Sequence, residues 1–520
     1  MIKGRLGTGF FALLLLVQMG CEGPEAEGIL SAPLSGGPRI IFDIDHKPLP
    51  DVPYPNNIAT RLDAASATGR RINISLEAET LAERELRAKI NGLDGFGLFS
   101  PVTVAFDGPL DLENIRDRHA NSSHEFTNDA ILLVNITPGS PDFGKPVPLD
   151  LGNGNYPLGL EWAWQYWDHD EHADSPNLLF ETHDEDVNGN GLLDPYEDID
   201  FDGVLDKPNT WSGKPIAPIT PENLPGLLKT PARPIDDLIT FYEKETDTLI
   251  AWPVVPLRQG EDYAVVLTRH LVGEDGATIQ SPFPYVNHLD QTQELAPLGG
   301  ILASPEIGMS LDDVAFAWTF TTQTVTRELE AIRAGLYGHG PLADLATTYP
   351  PDLTATPLVD PAKDGTEPDK VYALYTDEIF KVLNVLAPLL GYPPAVVEAL
   401  TDDTAHVDYW IIGSFTSPSF LADQDGIATP MYPADDNESF DIELAPDMSS
   451  GRAHHGPSHV TFLCAVPRAT EEHQQPFPVA TYGHGYSGAP FEVFGFAGRF
   501  AQYGYALCGL DAAGHGLALP

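Results

Sequence analysis

Short runs of β-branched and aromatic residues, each bounded by turn residues, recur through the first 320 positions of the chain. Proline and glycine are frequent between them, with 48 and 47 residues in the whole sequence. This pattern predicts antiparallel strands that pack as a β-sandwich. The clearest runs are 101–106, 130–136, 263–268 and 314–321. One early helix is also predicted, with a roughly helical apolar stripe made of Leu81, Leu86, Ile90 and Leu93.

The pattern becomes helical after residue 322. Val325, Leu329, Ile332 and Leu336 fall on one helical face, and a second apolar helix is predicted over 376–390, ending at Gly391. Strand signals return at 407–414 and again from 460. The last sixty residues then alternate strand, glycine-rich turn, helix and strand, which is typical of the start of an α/β domain.

The charge and the first residues indicate an exported protein. With 28 Lys+Arg against 76 Asp+Glu the formal charge is −48, which argues against nucleic acid or anionic lipid as a partner and favours divalent cations. Lys3 and Arg5 precede an apolar run at 10–17, as in an export signal that is too short to span a membrane. Cys21 resembles a lipobox cysteine, although Gln18 stands where that motif usually has Leu. We expect an outer-membrane lipoprotein, or a secreted protein if the leader is simply cleaved.

These observations predict an order of domains along the chain. It is an export signal (1–21), a tether (22–38), a β-rich domain (39–322) interrupted by an acidic insertion (150–232), a helical connection (323–405) and the start of an α/β domain (406–520).

The acidic insertion contains a twelve-residue calcium-loop pattern. Ca²⁺ prefers six to eight oxygen ligands, alternate residues of a tight loop direct them inward, and Gly191 permits the sharp turn. The predicted ligands are Asp186, Asn188, Asn190, the carbonyl of Leu192, Asp194 and Glu197. A second, weaker site is predicted from Asp198, Asp200, Asp202, the carbonyl of Val204 and Asp206. Its twelfth position is Asn209, so a bidentate carboxylate is missing there.

Two prolines limit what these loops can do. Pro195 and Pro208 stand where an EF-hand would begin its exiting helix, so we expect a structural calcium staple rather than a sensor. Upstream, the aromatic and histidine-rich segment 162–172 has three alternatives: a transition-metal site, a lipid or sugar contact, or packing of the insertion.

The segment 478–488 is predicted to be a buried strand that runs into a glycine-rich turn. In α/β-hydrolases the turn after this strand supplies an oxyanion-hole N–H, and His484, Gly485 and Tyr486 occupy that place. A helix (491–503) and a strand (505–510) should follow, ending in an Asp-x-x-Gly-His-Gly turn at 511–516. His484 and His515 are expected to be turn residues rather than the catalytic base.

The serine nucleophile of such an enzyme is not found in this sequence. No serine has glycine at both −2 and +2, and Ser487, the nearest approach, stands one strand too early. Because the sequence stops at Pro520 after a motif that normally leads into a helix, we expect an N-terminal portion that is inactive alone. Cys464 and Cys508 lie in strand-like runs and are either a disulfide or two buried thiols.

Several motifs resemble those of bacterial extracellular lipases of the virulence-factor type, some of which are surface lipoproteins. They are Pro53-Tyr-Pro-Asn-Asn57, Leu93-Asp-Gly-Phe96, the 256–268 run, Phe415-Thr-Ser-Pro418 and the two His-Gly turns. Segments 102–110 and 318–322 look like the ends of a bacterial Ig-like domain. The resemblance implies a serine hydrolase acting on acyl esters, with lipid or a small ester as substrate. The calcium loops are not part of the family pattern.

Two other functions stay open on the sequence. One is a calcium-stabilised surface binding or adhesion protein that retains a degenerate hydrolase remnant. The other is a peptidase, or an esterase indifferent to acyl-chain length, on the same fold. Only the oxyanion-turn residues 484–486 carry over from the family at this stage.

Overall fold

The computed structural model describes residues 27–78, 80–120, 125–151, 184–198, 203, 205, 207–215, 237–351, 355–357, 371–389, 393–422, 443–444, 446–447, 452–453, 455–485 and 488–512. The chain divides into two compact units, Met1–Thr324 and Val325–Pro520. The fold is mixed, with several antiparallel sheets and few helices. No helix among these residues is long and apolar enough to cross a membrane.

The first unit consists mainly of short strands. They are β1 (Thr60–Leu62), β2 (Arg70–Ile72), β3 (Val102–Ala105), β4 (Ile131–Asn135), β5 (Pro146–Val147), β6 (Leu149–Asp150), β7 (Tyr242–Glu243), β8 (Thr248–Pro253), β9 (Asp262–Thr268) and β10 (Val314–Thr321). Its helices are α1 (Leu81–Ile90), α2 (Leu112–His119) and α3 (Leu298–Leu302). One antiparallel sheet has the order β10-β9-β4-β5, a second has β3-β8-β6 with β7 also on β8, and β1 pairs with β2. The four strands predicted most clearly, β3, β4, β9 and β10, are confirmed.

The two larger sheets share one hydrophobic core. Val104 of β3 and Leu249 of β8 lie in the same buried cluster as Val265 of β9 and Trp318 of β10. The opposite face of the β10-β9-β4 strands packs on a second cluster that includes Leu298 of α3. Because these strands are covered on both faces, they are apolar without alternation, and β10 is buried at all eight positions.

Helix α1 forms where it is predicted, but the side that it buries is not the predicted one. Leu81 and Leu86 are 61% and 58% exposed, and Arg87 is the buried residue of the helix. The Arg87 guanidinium donates to the carbonyl oxygens of Ser75 and Glu77 and to the Glu83 carboxylate. A buried arginine with these partners satisfies its donors, so the predicted leucine stripe is wrong and only Ile90 packs against the core.

The second unit is built on a six-stranded mixed sheet. The strands of the whole unit are β11 (Ala355–Pro357), β12 (Val371–Tyr375), β13 (Val407–Ser419), β14 (Leu421–Ala422), β15 (Glu443–Leu444), β16 (Pro446–Asp447), β17 (Arg452–Ala453), β18 (Gly456–Pro467), β19 (Val479–Gly483) and β20 (Ala506–Leu510). Its helices are α4 (Arg327–Leu336), α5 (Leu345–Thr348), α6 (Thr376–Leu389), α7 (Pro394–Asp403) and α8 (Ala497–Gln502). The sheet order is β11-β12-β13-β18-β20-β19, and β14–β15 and β16–β17 form separate pairs.

Strand direction in this sheet changes at defined places. β18 is antiparallel to both of its neighbours, β13 and β20, whereas β19 and β20 are parallel. A 3₁₀ helix (Pro490–Gly495) and α8 connect the two parallel strands, because parallel neighbours need a crossover. Val493 and Ala497 of this crossover pack on Trp410 of β13.

A disulfide between Cys464 and Cys508 links β18 to β20. The two residues are direct partners in the strand register, with Cα atoms 4.0 Å apart. The sequence did not decide between a disulfide and two buried thiols, and the structure contains the disulfide.

Candidate functional site

The turns after β19 and β20 meet at one edge of the sheet. Gly483, the last residue of β19, is the register partner of Leu510, the last residue of β20. The residues that follow them, His484 and Asp511, therefore leave the sheet side by side. The carboxyl ends of parallel strands are the usual place for a ligand crevice in α/β sheets.

The His484 side chain is 2% exposed and bridges the two turns. Its Nδ1 lies 2.9 Å from the carbonyl oxygen of Gly485, and the backbone N–H of Ala512 donates to its Nε2 at 3.0 Å. Because Nε2 accepts a hydrogen bond, the ring proton belongs on Nδ1, which donates to Gly485. Asp511 Oδ1 lies 3.5 Å from Nε2. The ring therefore cross-links the two turns.

A backbone hydrogen bond joins Gly488 to Gly485 in this part of the chain. The N–H of Gly488 donates to the Gly485 carbonyl oxygen at 2.9 Å. A Cβ at position 488 would lie 2.9 Å from that oxygen and closer still to a carboxylate oxygen of Glu492. Glu492 in turn accepts a hydrogen bond from the Tyr482 hydroxyl, and this bond raises the pKa of Tyr482. Only glycine fits at position 488, beneath the Glu492 carboxylate.

The first calcium-loop segment folds as a tight turn around its acidic residues. The Asp186 carboxylate accepts the backbone N–H groups of Asn190 and Gly191 at 2.8 and 2.9 Å. The side-chain amides of Asn188 and Asn190 both donate to Asp194 Oδ2, at 2.7 and 2.8 Å. Gly191 has φ +73, the left-handed conformation that the sharp turn requires. The side chains of Asn188, Asn190 and Asp194 are thus in direct contact, and the Asp186 carboxylate holds the backbone of the same turn.

Glu197 closes the same loop. It is 6% exposed, and its carboxylate accepts the backbone N–H groups of Asn188 and Asp194 at 3.2 and 3.1 Å. Leu192, whose side chain is outside the predicted site, is 66% exposed. Rotating the two asparagine amides by half a turn would exchange nitrogen for oxygen, so the residues present fit a cation that prefers oxygen.

The start of the second loop is described at Asp198, where one carboxylate oxygen is buried and has no hydrogen-bond partner among the described residues. The contacts of Asn209, the twelfth position of the second loop, give its side chain a structural role. Asn209 is 1% exposed, and its amide donates to the carbonyl oxygens of Ile239 and Tyr242 while its oxygen accepts the N–H of Lys244. Its side chain therefore anchors the 239–244 segment and is not directed to a metal.

Several predicted site residues lie outside the described residues: Tyr486, Ser487, Asp200, Asp202, Val204, Asp206, His515, Cys21 and the 162–172 segment. Within the described part of the chain, no group of three or more His, Cys, Asp or Glu side chains is arranged to hold a metal ion. The first loop adds two asparagines and a carbonyl to Asp186, Asp194 and Glu197, and these three carboxylates do not form such a group by themselves. Sequence reasoning missed the contact of His484 with Ala512 and the Tyr482–Glu492 pair.

Comparisons of this chain with protein-family models, curated proteins and solved structures find no match.

Proposed function

We propose that this chain carries the oxyanion-turn side of an α/β-hydrolase that cleaves acyl esters. The observation that carries the proposal is the order β13-β18-β20-β19, with β18 antiparallel to both neighbours. In α/β-hydrolases the fourth strand likewise lies between the second and third, and the second strand runs opposite to the others. On this assignment β19 is the third strand, whose following turn supplies the oxyanion hole.

The hydrogen bonds around His484 give the turn a function in this scheme. His484 holds the Gly485 carbonyl oxygen. In the proposed scheme a backbone N–H of the turn at 484–486 would serve as the oxyanion donor. A serine encoded outside these 520 residues would attack the ester carbonyl, and a histidine from the same region would take its proton.

The test is hydrolysis of short- and long-chain p-nitrophenyl esters. The assay compares this chain alone with this chain joined to the sequence encoded directly downstream of it. We expect hydrolysis only by the joined form, because the sequence has no Gly-x-Ser-x-Gly elbow. A folded joined form that is inactive on every ester would contradict the proposal. Chain-length preference would separate a lipase from an esterase.

We propose that the acidic insertion binds Ca²⁺ as a structural staple. Asp186, Asn188, Asn190, Asp194, Glu197 and the Leu192 carbonyl would hold one ion. A second would use Asp198, Asp200, Asp202, Asp206 and the Val204 carbonyl. The two asparagine amides on Asp194 and the two backbone N–H groups on Glu197 bring these loop residues together, which supports the first site. The buried oxygen of Asp198, which has no hydrogen-bond partner in the described part of the chain, supports the second.

Thermal unfolding with and without Ca²⁺ tests the first site. A concentration about tenfold above Kd should stabilise the parent by about 1.4 kcal/mol. Asp186→Ala should lose this gain, because it removes a charged ligand. Leu192→Ala is the matched control, since it leaves the backbone carbonyl in place and should keep the gain. An unchanged Ca²⁺ response in Asp186→Ala would show that the ion does not bind in this loop.

We propose for the first unit an Ig-like sandwich, supported by its two antiparallel sheets over a shared core. The leader and Cys21 support export and a lipid anchor. Together with the motifs quoted above, these features favour an extracellular lipase of the virulence-factor type.

A specific observation also favours a second candidate, a calcium-stabilised surface binding protein: no serine in the sequence stands in a nucleophile elbow. Esterase activity of the joined form decides between the two functions.

A further inference from the structure

Residues 28–38 belong to the fold of the first unit, although the sequence assigned them to the tether. They run beside residues 277–289, and the N–H of Val286 donates to the Leu30 carbonyl oxygen at 3.0 Å. Leu30 also packs against one of the two hydrophobic clusters of this unit. Because their backbones are hydrogen-bonded to each other, the two segments form one continuous part of the unit.

The docked segment begins at Gly28. A Cβ at this position would overlap the Tyr285 ring and lie 2.7 Å from Asn287 Oδ1, and that oxygen accepts the N–H of Ile29 at 2.9 Å. Asn287 itself is buried. Because the backbone is held from Gly28 onward, six residues separate the fold from Cys21, whose lipidation we propose above. The Cα atoms of these two residues can therefore be at most about 25 Å apart.

The paired segments carry no charged side chain. Neither 28–38 nor 277–289 contains Asp, Glu, Lys or Arg, whereas charged residues make up 20% of the chain and most of them are acidic. Leu34 is fully exposed on the first segment, and Leu289 is 41% exposed on the second. A neutral face with exposed leucines can lie against lipid head groups without the repulsion that the acidic remainder of the chain has for an anionic bilayer.

We infer that the lipid anchor proposed for Cys21 holds this neutral face, residues 28–38 with 277–289, against the bilayer. The orientation depends on that proposed anchor and is independent of hydrolytic activity. A compact domain of about 300 residues is about 50 Å across, so a tether of at most about 25 Å cannot bring its far side to the membrane. The first unit would thus lie close to the membrane that anchors it, with the side at Gly28 toward the lipid.

Quenching of a fluorophore by lipids with spin-labelled head groups tests this orientation. The full chain is produced with its leader in a bacterium that lipidates exported proteins, and it is reconstituted in phosphatidylethanolamine–phosphatidylglycerol vesicles. Leu34→Cys provides the labelled thiol, because Cys464 and Cys508 are joined in a disulfide and a lipid would block Cys21. Leu192→Cys is the matched control, since Leu192 is also an exposed leucine of the first unit, at 66%, but lies in the acidic calcium loop.

We expect strong quenching of the label at position 34 and little at position 192. A Gly-Ser linker of about 20 residues inserted before Gly28 should weaken the quenching at position 34 by up to about eightfold. The physical reason is that the effective concentration of the tethered face at the bilayer falls roughly as the −3/2 power of tether length.

Mass spectrometry of the N-terminal peptide separates two kinds of failure. A chain without lipid on Cys21 would overturn the proposed anchor and this orientation with it. A lipidated chain that is quenched equally at positions 34 and 192 would overturn the orientation alone. The same holds for a lipidated chain that keeps its full quenching at position 34 when the linker is present.

Discussion

A buried pair of titratable groups in the first unit should give two variants opposite pH dependences. His119, the last residue of α2, and Asp129 have side chains only 5% and 13% exposed, with His119 Nδ1 3.7 Å from Asp129 Oδ2. The backbone N–H of Ala130 donates to His119 Nε2 at 3.1 Å, so the ring is neutral. Burial lowers the pKa of His119 to about 4, and nearby Arg118 adds to this effect. Burial raises the pKa of Asp129 to about 7.

The signs of the two contributions are opposite. Between about pH 4 and 6.5 the unfolded chain protonates His119 and the folded chain does not, so stability rises with pH. Between about pH 4 and 7 the folded chain protonates Asp129 and the unfolded chain does not, so stability falls with pH. At 1.36 kcal/mol per unit of pKa, the upper limits are about 3 kcal/mol for His119 and about 4 kcal/mol for Asp129. In the parent protein they largely cancel below pH 6.5.

Single substitutions should uncover each contribution. Asp129→Asn removes the contribution of the carboxyl, so its free energy of unfolding relative to the parent should rise by up to about 4 kcal/mol between pH 4 and 7. His119→Gln removes the contribution of the histidine, so its free energy of unfolding relative to the parent should fall by up to about 3 kcal/mol between pH 4 and 6.5. Urea unfolding followed by tryptophan fluorescence measures both. A Trp410→Phe background restricts the signal to the first unit, because Trp410 is the one tryptophan beyond residue 324.

Each variant is compared with the parent at every pH, which removes the contribution of the other carboxylates. Asp117→Asn is the matched control, because its side chain is 76% exposed, and it should show the slope of the parent. Slopes of the same sign in Asp129→Asn and His119→Gln would refute the reasoning. The reasoning would also be refuted if the difference in free energy of unfolding from the parent did not change with pH in either variant.

Two further predictions concern the second unit. Gly488→Ala should lower kcat of the joined form about 10- to 100-fold in the ester assay, because its methyl group would displace the turn for which we propose the oxyanion role. Gly495→Ala, with no atom near its Cβ, should leave kcat unchanged. Equal rates in the two variants would contradict this. Replacing both Cys464 and Cys508 by alanine should destabilise the second unit by up to about 4 kcal/mol, since their 44-residue separation closes a long loop. Unchanged hydrogen exchange in β18 and β20 would count against a stabilising disulfide.

Features set by neighbouring residues in the sequence could be predicted, whereas those set by distant residues could not. The run at 314–321 forms β10 with the predicted bounds, because a strand buried on both faces is apolar at every position. The direction of α1 was predicted wrongly, since the partners of Arg87 lie outside the helix at Ser75 and Glu77. On α4 likewise only Ile332 of the predicted stripe packs against a buried cluster. Helical periodicity does not reveal a buried arginine.

The candidate site could be predicted only in part for the same reason. The glycine-rich turn after β19 was visible as a local motif. The contact of His484 with Ala512 was not, because it depends on the parallel pairing of two strands that are separated by a crossover. For Asn209 the sequence predicted only that the position lacks the bidentate carboxylate of a calcium site. Its structural role, an amide that holds the 239–244 segment, could not be predicted because its partners are distant in the sequence.

The central claim is that this chain supplies the oxyanion turn and a different region supplies the nucleophile. Labelling with a fluorophosphonate, which reacts with activated serines, followed by peptide mass spectrometry tests it most directly on the chain joined to its downstream sequence. We predict a labelled serine in a Gly-x-Ser-x-Gly elbow outside these 520 residues, and no label on the chain alone. A label on Ser487 would contradict the account, and so would a folded joined form that takes up no label at all.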